Sequence, residues 1–122
     1  MGSQGLKKSI TYAWAGITYV ITSENNMKIH VLAALMAVAM GWWLGIRRME
    51  WGLLVVTILL VFITETVNTA IEKTIDMITS NYHPAAAIVK NVAAGAVLLS
   101  ALNAVIMAFI IFGPYLLEKY LT

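Results

Sequence analysis

The sequence contains no cysteine, and only two of its 122 residues are proline. Neither a disulfide framework nor a thiolate metal site can therefore form, and cysteine usage says nothing about redox compartment. Charge is also scarce. Asp, Glu, Lys and Arg make up 11% of the chain, against about 25% in an ordinary soluble domain. A formal net charge of +2 is too mild to point to nucleic acid. None of the eight glycines stands in a GxxxxGK or GxGxxG pattern, so no familiar phosphate loop is present.

Apolar residues fill the space that charge leaves. They account for 61% of the chain, and the mean hydropathy is +0.83. A single core of this size cannot hide so much apolar surface, so lipid must serve as its solvent. A spanning helix needs about 20 mostly apolar residues. Three stretches qualify, predicting a single-domain, all-α membrane protein with spans over 28–46, 51–79 and 85–117. His30 interrupts the first span near its start, and Arg47-Arg48 closes it. Pro84 suits the entry to the third. The late first apolar run, continuing as a span, argues against a secretory signal.

Residues 6–22 read differently. Leu6, Ile10, Ala13, Trp14, Ile17, Val20 and Ile21 fall on one side of a helix, with Lys8, Thr11, Thr18 and Thr22 opposite. This pattern predicts an amphipathic helix in the headgroup plane, a depth that suits Trp14 and Tyr19. With the N-terminus in the cytoplasm, Lys7, Lys8, Lys28, Lys73 and Lys90 fall on the inner side. That favours this orientation, although Arg47 and Arg48 pull the other way.

The second span carries the chemistry. Trp51 to Thr64 is too short to cross, so the helix must run on through Glu65 to Asp76, where nothing breaks it. Glu65, Asn68, Thr69, Glu72 and Asp76 then lie within roughly 100° of one another around the axis. A solvated helix face is the plain account of such a stripe. Glu65, however, directly follows Leu60-Val61-Phe62-Ile63, at a depth where an unpaired carboxylate is expensive. Like charges on successive turns also repel unless a cation separates them, and Mg²⁺ binds through one or two carboxylates plus phosphate oxygens. Glu24-Asn25-Asn26 and Lys90-Asn91 reach the same membrane face. Ser23, Asn25 and Asn26 have helix capping as an alternative role, and Lys90 has snorkelling. Gly41-xxx-Gly45 and Ser100-xxx-Ala104-xxx-Ala108 are expected to let helices approach closely, and Asn103 to bond across helices. Trp42, Trp43 and Trp51 fit an interfacial belt.

The run Glu65-Thr66-Val67-Asn68-Thr69-Ala70-Ile71-Glu72-Lys73-Thr74-Ile75-Asp76 resembles the signature of the bacterial diacylglycerol kinase and undecaprenol kinase family. Tyr12, Trp14, Glu24, the Tyr82-His83 turn, Lys90 and Ala93-Ala94-Gly95-Ala96 also have counterparts there. The resemblance implies a homotrimer in the bacterial cell membrane, with its site at the cytoplasmic face. It implies transfer of the γ-phosphoryl of ATP, with Mg²⁺, to a lipid alcohol. By matching position, Glu65 is the general base at the lipid hydroxyl, and Glu24 and Glu72 hold Mg²⁺. Asn68, Asp76 and Lys90 contact the nucleotide or its phosphates. Asn91 stands where many relatives carry Asp and is included as a nucleotide contact. Glu24 to His30 resembles the undecaprenol branch, which makes His30 a substrate contact and undecaprenol the favoured acceptor, with diacylglycerol as the alternative. A channel or transporter subunit with an acidic cation path is the rival from another class.

Overall fold

A computed structural model describes residues 3–121, which form four helices in chain order. These are α1 (Ser3–Ser23), α2 (Asn25–Leu44), α3 (Arg48–Ile78) and α4 (Pro84–Leu121). Helices α2, α3 and α4 are each long and apolar enough to cross a membrane. At about 1.5 Å per residue, α3 and α4 exceed the hydrocarbon thickness, so their ends project beyond it.

The turns that separate the helices follow from local chemistry. Glu24 alone takes an extended conformation (φ −100°, ψ 119°) between α1 and α2, which puts the start of α2 at Asn25 rather than 28. The expected caps do not form. No side chain caps α2, and the Ser23 hydroxyl instead donates to the Tyr19 carbonyl. Glu24 therefore keeps its carboxylate available. At the other end Gly45 adopts the left-handed conformation (φ 66°). Its N–H donates to the Trp42 carbonyl and that of Ile46 to the Gly41 carbonyl, a Schellman closure that favours glycine. The Gly41/Gly45 pair thus divides its labour. A Cβ at Gly41 would sit 3.0 Å from atoms of Ile46 and Trp51, whereas Gly45 serves the turn and has open space around it.

Helix α3 starts with the Arg47 N–H donating to Glu50 Oε1 at 2.9 Å. The same oxygen accepts the Tyr115 hydroxyl from α4. Nearby lies the buried core of Ile46, Leu54, Ile111 and Phe112, with Trp51, Ile58 and Met107 packed around it. The α3–α4 hairpin is thus pinned firmly at its Arg47 end. That anchoring carries α4 through Pro114 to Leu121, beyond the expected end at 117. Lys119 lies over the Trp43 ring at 4.3 Å and extends the attachment.

Ala104 and Ala108 border an apolar groove between α2, α3 and α4, and Ala108 also packs against the buried core. One expectation about packing changes. Asn103 is half-buried and makes no side-chain hydrogen bond among the described residues. The expected apolar stripe of α1 remains largely uncovered: Leu6, Ile10, Trp14, Ile17 and Ile21 are exposed, and only Val20 is buried.

A Gly45→Ala variant should lose about 1 kcal/mol of stability, because a Cβ strains the left-handed conformation. Detergent-denaturation midpoints would reveal it, and an unchanged midpoint would remove the turn assignment.

Candidate functional site

The site lies at the end of the bundle remote from the Arg47 core. There α3 carries its polar stripe past the α1–α2 junction and the first turns of α4. Glu65 is 2% exposed and ranks among the most deeply buried side chains described. Its Oε2 lies 3.7 Å from His30 Nε2 on α2, too far for a hydrogen bond, and has no other partner. One turn on, Asn68 is also buried. Its Nδ2 donates to Glu72 Oε1 at 3.3 Å, while its own Oδ1 is unpartnered.

Two buried oxygens without partners, one helical turn apart, are unusual. Desolvating such a group without a hydrogen bond costs about 1–3 kcal/mol, so folded proteins rarely leave one. The nearby hydroxyls cannot relieve them. Thr69 donates to the Glu65 backbone carbonyl, Thr66 to that of Phe62 and Thr57 to that of Leu53, each a bond back to its own helix. No donor among the described residues reaches either oxygen, which leaves both open to a proton donor or a cation.

Other side chains assemble around them. Glu24 and Glu72 both act electrostatically on the Glu65 carboxylate, so the three acids share one region. Lys73 Nζ is 3.9 Å from Glu24 Oε1 and 5.9 Å from the centre of the Tyr19 ring, tying α3 to α1 and to the junction. Lys73 and Tyr19 were missed by sequence reasoning. Lys73 sits beside the acidic stripe rather than on it, and its neighbour Glu72 was the only available signal. Asp76 and Lys90 pair at 2.6 Å between α3 and α4. Both are substantially exposed, so the pair contributes at most about 1 kcal/mol and can be exchanged for a ligand. Asp76, Lys90, Asn81, Tyr82 and His83 border a cavity of about 220 Å³ at the α3–α4 turn. His83 Nδ1 also accepts the Ala85 N–H at the start of α4. Asn91 is exposed and makes no side-chain hydrogen bond among the described residues, so it is not drawn into the cluster.

The donor chemistry suits a hard cation. Carboxylate and amide oxygens are the ligands Mg²⁺ prefers, and it commonly takes one or two carboxylates and completes its shell with phosphate and water. Among the described residues, no three acidic or imidazole side chains converge tightly enough to cage a metal unaided.

The sequence profile of prokaryotic diacylglycerol kinase matches residues 11–112. The chain belongs to this family. A diacylglycerol kinase from Synechocystis is 37% identical over 111 residues, 90% of this chain and 63% of that protein, so the chain spans under two thirds of that relative's length. An undecaprenol kinase from Bacillus subtilis is 37% identical over 109 residues, 89% of each chain. A diacylglycerol kinase from Escherichia coli is 33% identical over 99 residues, 81% of each.

Membership of the diacylglycerol kinase family makes the protein a membrane lipid kinase that uses ATP as co-substrate. The channel reading falls away with it. Between Trp51 and Ile63 the polar side chain of α3 is Thr57, already bonded to its own helix, so no polar path continues across the bundle there. The matched segment contains the whole stripe from Glu65 to Asp76 and ends before Pro114.

Replacing Glu65 by Gln should leave thermal stability unchanged or raise it by about 1–3 kcal/mol, since a buried unpartnered carboxylate becomes a neutral amide. Thermal unfolding in detergent micelles measures this. A clear loss of stability would show that the carboxylate serves the fold.

Proposed function

We propose that the protein transfers the γ-phosphoryl group of ATP to the hydroxyl of undecaprenol, producing undecaprenyl phosphate. The observation that carries this reading is the pair of orphaned oxygens, Glu65 Oε2 and Asn68 Oδ1, buried at the membrane-embedded end of the acidic stripe. One can accept a proton from an alcohol delivered through lipid. The other, an acceptor, can turn toward a cation held on the phosphates.

In the proposed reaction the lipid hydroxyl oxygen attacks the γ-phosphorus. A new O–P bond forms, the bond from the γ-phosphorus to the bridging oxygen of ADP breaks, and the hydroxyl proton passes to Glu65 Oε2. Glu65 is the general base, a role typically worth about 10²–10⁴-fold. Glu24 and Glu72 are the residues that would hold Mg²⁺, which when bound neutralises charge on the phosphates. Asn68 orients the γ-phosphate beside Glu72. Lys90, released from Asp76, offers its ammonium to the phosphates, and Asp76 and Asn91 contact the nucleotide. Phosphoryl transfer rests chiefly on positioning and charge neutralisation, so this set suffices without a glycine-rich loop.

The undecaprenol choice is supported by His30, which stands beside Glu65 in a run similar to the undecaprenol branch, and by the similarity to the Bacillus subtilis enzyme. Diacylglycerol is the second reading, favoured by the names of the Synechocystis and Escherichia coli relatives. The uncovered apolar stripe of α1 supports a helix lying in the headgroup plane, and the lysine distribution supports a site facing the cytoplasm. Asn103, without a side-chain partner among the described residues, supports a homotrimer in which a neighbouring chain supplies one.

An assay offering undecaprenol and diacylglycerol side by side with MgATP should favour undecaprenyl phosphate. Predominant phosphatidic acid would establish the second reading, and transfer to neither by folded protein would overturn both. Glu65→Gln should lower kcat about 10²–10⁴-fold with little change in KM for ATP. A wild-type rate in that variant would remove the general base.

A further inference from the structure

Lys73 has no part in the proposed reaction, yet it contacts one of the acids on which that reaction depends. Glu24 is the extended residue between α1 and α2, and its side chain caps neither helix. Its Oε1 lies 3.9 Å from Lys73 Nζ, inside ion-pair range but beyond hydrogen-bond length. Glu24 is partly buried there, whereas Lys73 is exposed. The same ammonium lies 5.9 Å from the centre of the Tyr19 ring on α1, at the outer edge of a cation–π contact. Asp76, on the next turn of α3, also acts on it electrostatically. Glu72, its neighbour in the chain, is engaged by Asn68 Nδ2 instead. Lys90 offers a contrast, bonded to Asp76 at 2.6 Å. Lys73 stands among the acids and is locked to none of them.

We infer that Lys73 is a positioning residue: its ammonium neutralises Glu24 in the empty site and passes to the phosphates when metal and nucleotide bind. The inference rests on the reading of Glu24 as a metal holder and adds what occupies that carboxylate beforehand. An ammonium and a divalent cation repel each other at one carboxylate, so only one can hold it. A hard divalent ion approaches an oxygen to about 2.1 Å with twice the charge, so it displaces a contact of 3.9 Å. Lysine suits the exchange, being a point charge on a flexible stem rather than a rigid fork. The displaced ammonium stays beside Tyr19 and adds positive charge where a polyphosphate arrives, which favours transfer. In the empty site the contact also relieves repulsion, because Glu24 and Glu72 both act on the Glu65 carboxylate. A purely structural tie between α1 and α3 has a different signature. Losing such a tie would weaken metal and nucleotide binding together, whereas the exchange gives the two opposite signs.

The test titrates Mn²⁺ alone into the full-length protein in phosphatidylcholine nanodiscs, with free Mn²⁺ counted by electron paramagnetic resonance. Lys73→Gln should bind Mn²⁺ about two- to fivefold more tightly than wild type, the range that an exposed ion pair supports. The same variant should raise KM for MgATP by a similar factor, with a smaller change in kcat. Lys73→Arg keeps the charge and should match wild type in both measurements. In a Glu24→Gln background, Lys73→Gln should no longer alter Mn²⁺ affinity. Unchanged Mn²⁺ occupancy in Lys73→Gln, undetectable binding included, would overturn the inference. So would weaker binding of both metal and nucleotide, or a tightening that survives Glu24→Gln. Failure of the underlying reading looks different: Glu24→Gln by itself would then bind Mn²⁺ as well as wild type, which removes Glu24 as a metal holder and the inference with it.

Discussion

Everything at the reactive end of this protein depends on the cost of an oxygen atom that water cannot reach. Helix α3 enters the membrane as an apolar rod and places Glu65 and Asn68 where neither bulk solvent nor the neighbouring hydroxyls can satisfy them. The threonines around them bond to their own helix. This arrangement costs stability, of order 1–3 kcal/mol per orphaned group. It is tolerable because the rest of the hairpin is secured elsewhere.

That security comes from the opposite end of the bundle. Glu50 gathers the Arg47 N–H and the Tyr115 hydroxyl, while Ile46, Leu54, Ile111 and Phe112 form the buried core. Near the site the ties are weaker: an exposed Asp76–Lys90 pair and a long contact between Lys73 and Glu24. Charged groups joined by such ties can exchange partners when a polyanion arrives. The polarity of construction, rigid at one end and exchangeable at the other, matches a kinase that must admit nucleotide from water and an alcohol from lipid.

Much of this was legible in the sequence because a bilayer imposes a simple code. Length and hydropathy located the three long apolar helices within a few residues, and the 100° periodicity grouped Glu65, Asn68, Glu72 and Asp76 on one face of α3. What escaped was set by tertiary contacts. Lys73 lies off the stripe, and only the packing of α1 brings Tyr19 and Glu24 to it. Gly45 looked like half of a packing motif, yet the backbone closure of α2 claims it. The Ser100, Ala104 and Ala108 row reads as a contact surface, and the structure adds that Ala104 and Ala108 also border an apolar groove, which periodicity alone does not show. The apolar run places the end of the third span near 117, whereas α4 continues to Leu121.

The most direct test of the central claim is to ask what comes to the orphaned oxygens. With Mn²⁺ in place of Mg²⁺ and a non-hydrolysable ATP analogue, paramagnetic broadening can be mapped by solid-state NMR on protein labelled at Glu and Asn side chains. Broadening should be strongest at Glu24, Glu65, Asn68 and Glu72, and should leave Glu50 sharp. Equal broadening of Glu50, or sharp resonances at Glu65 and Asn68, would contradict the account.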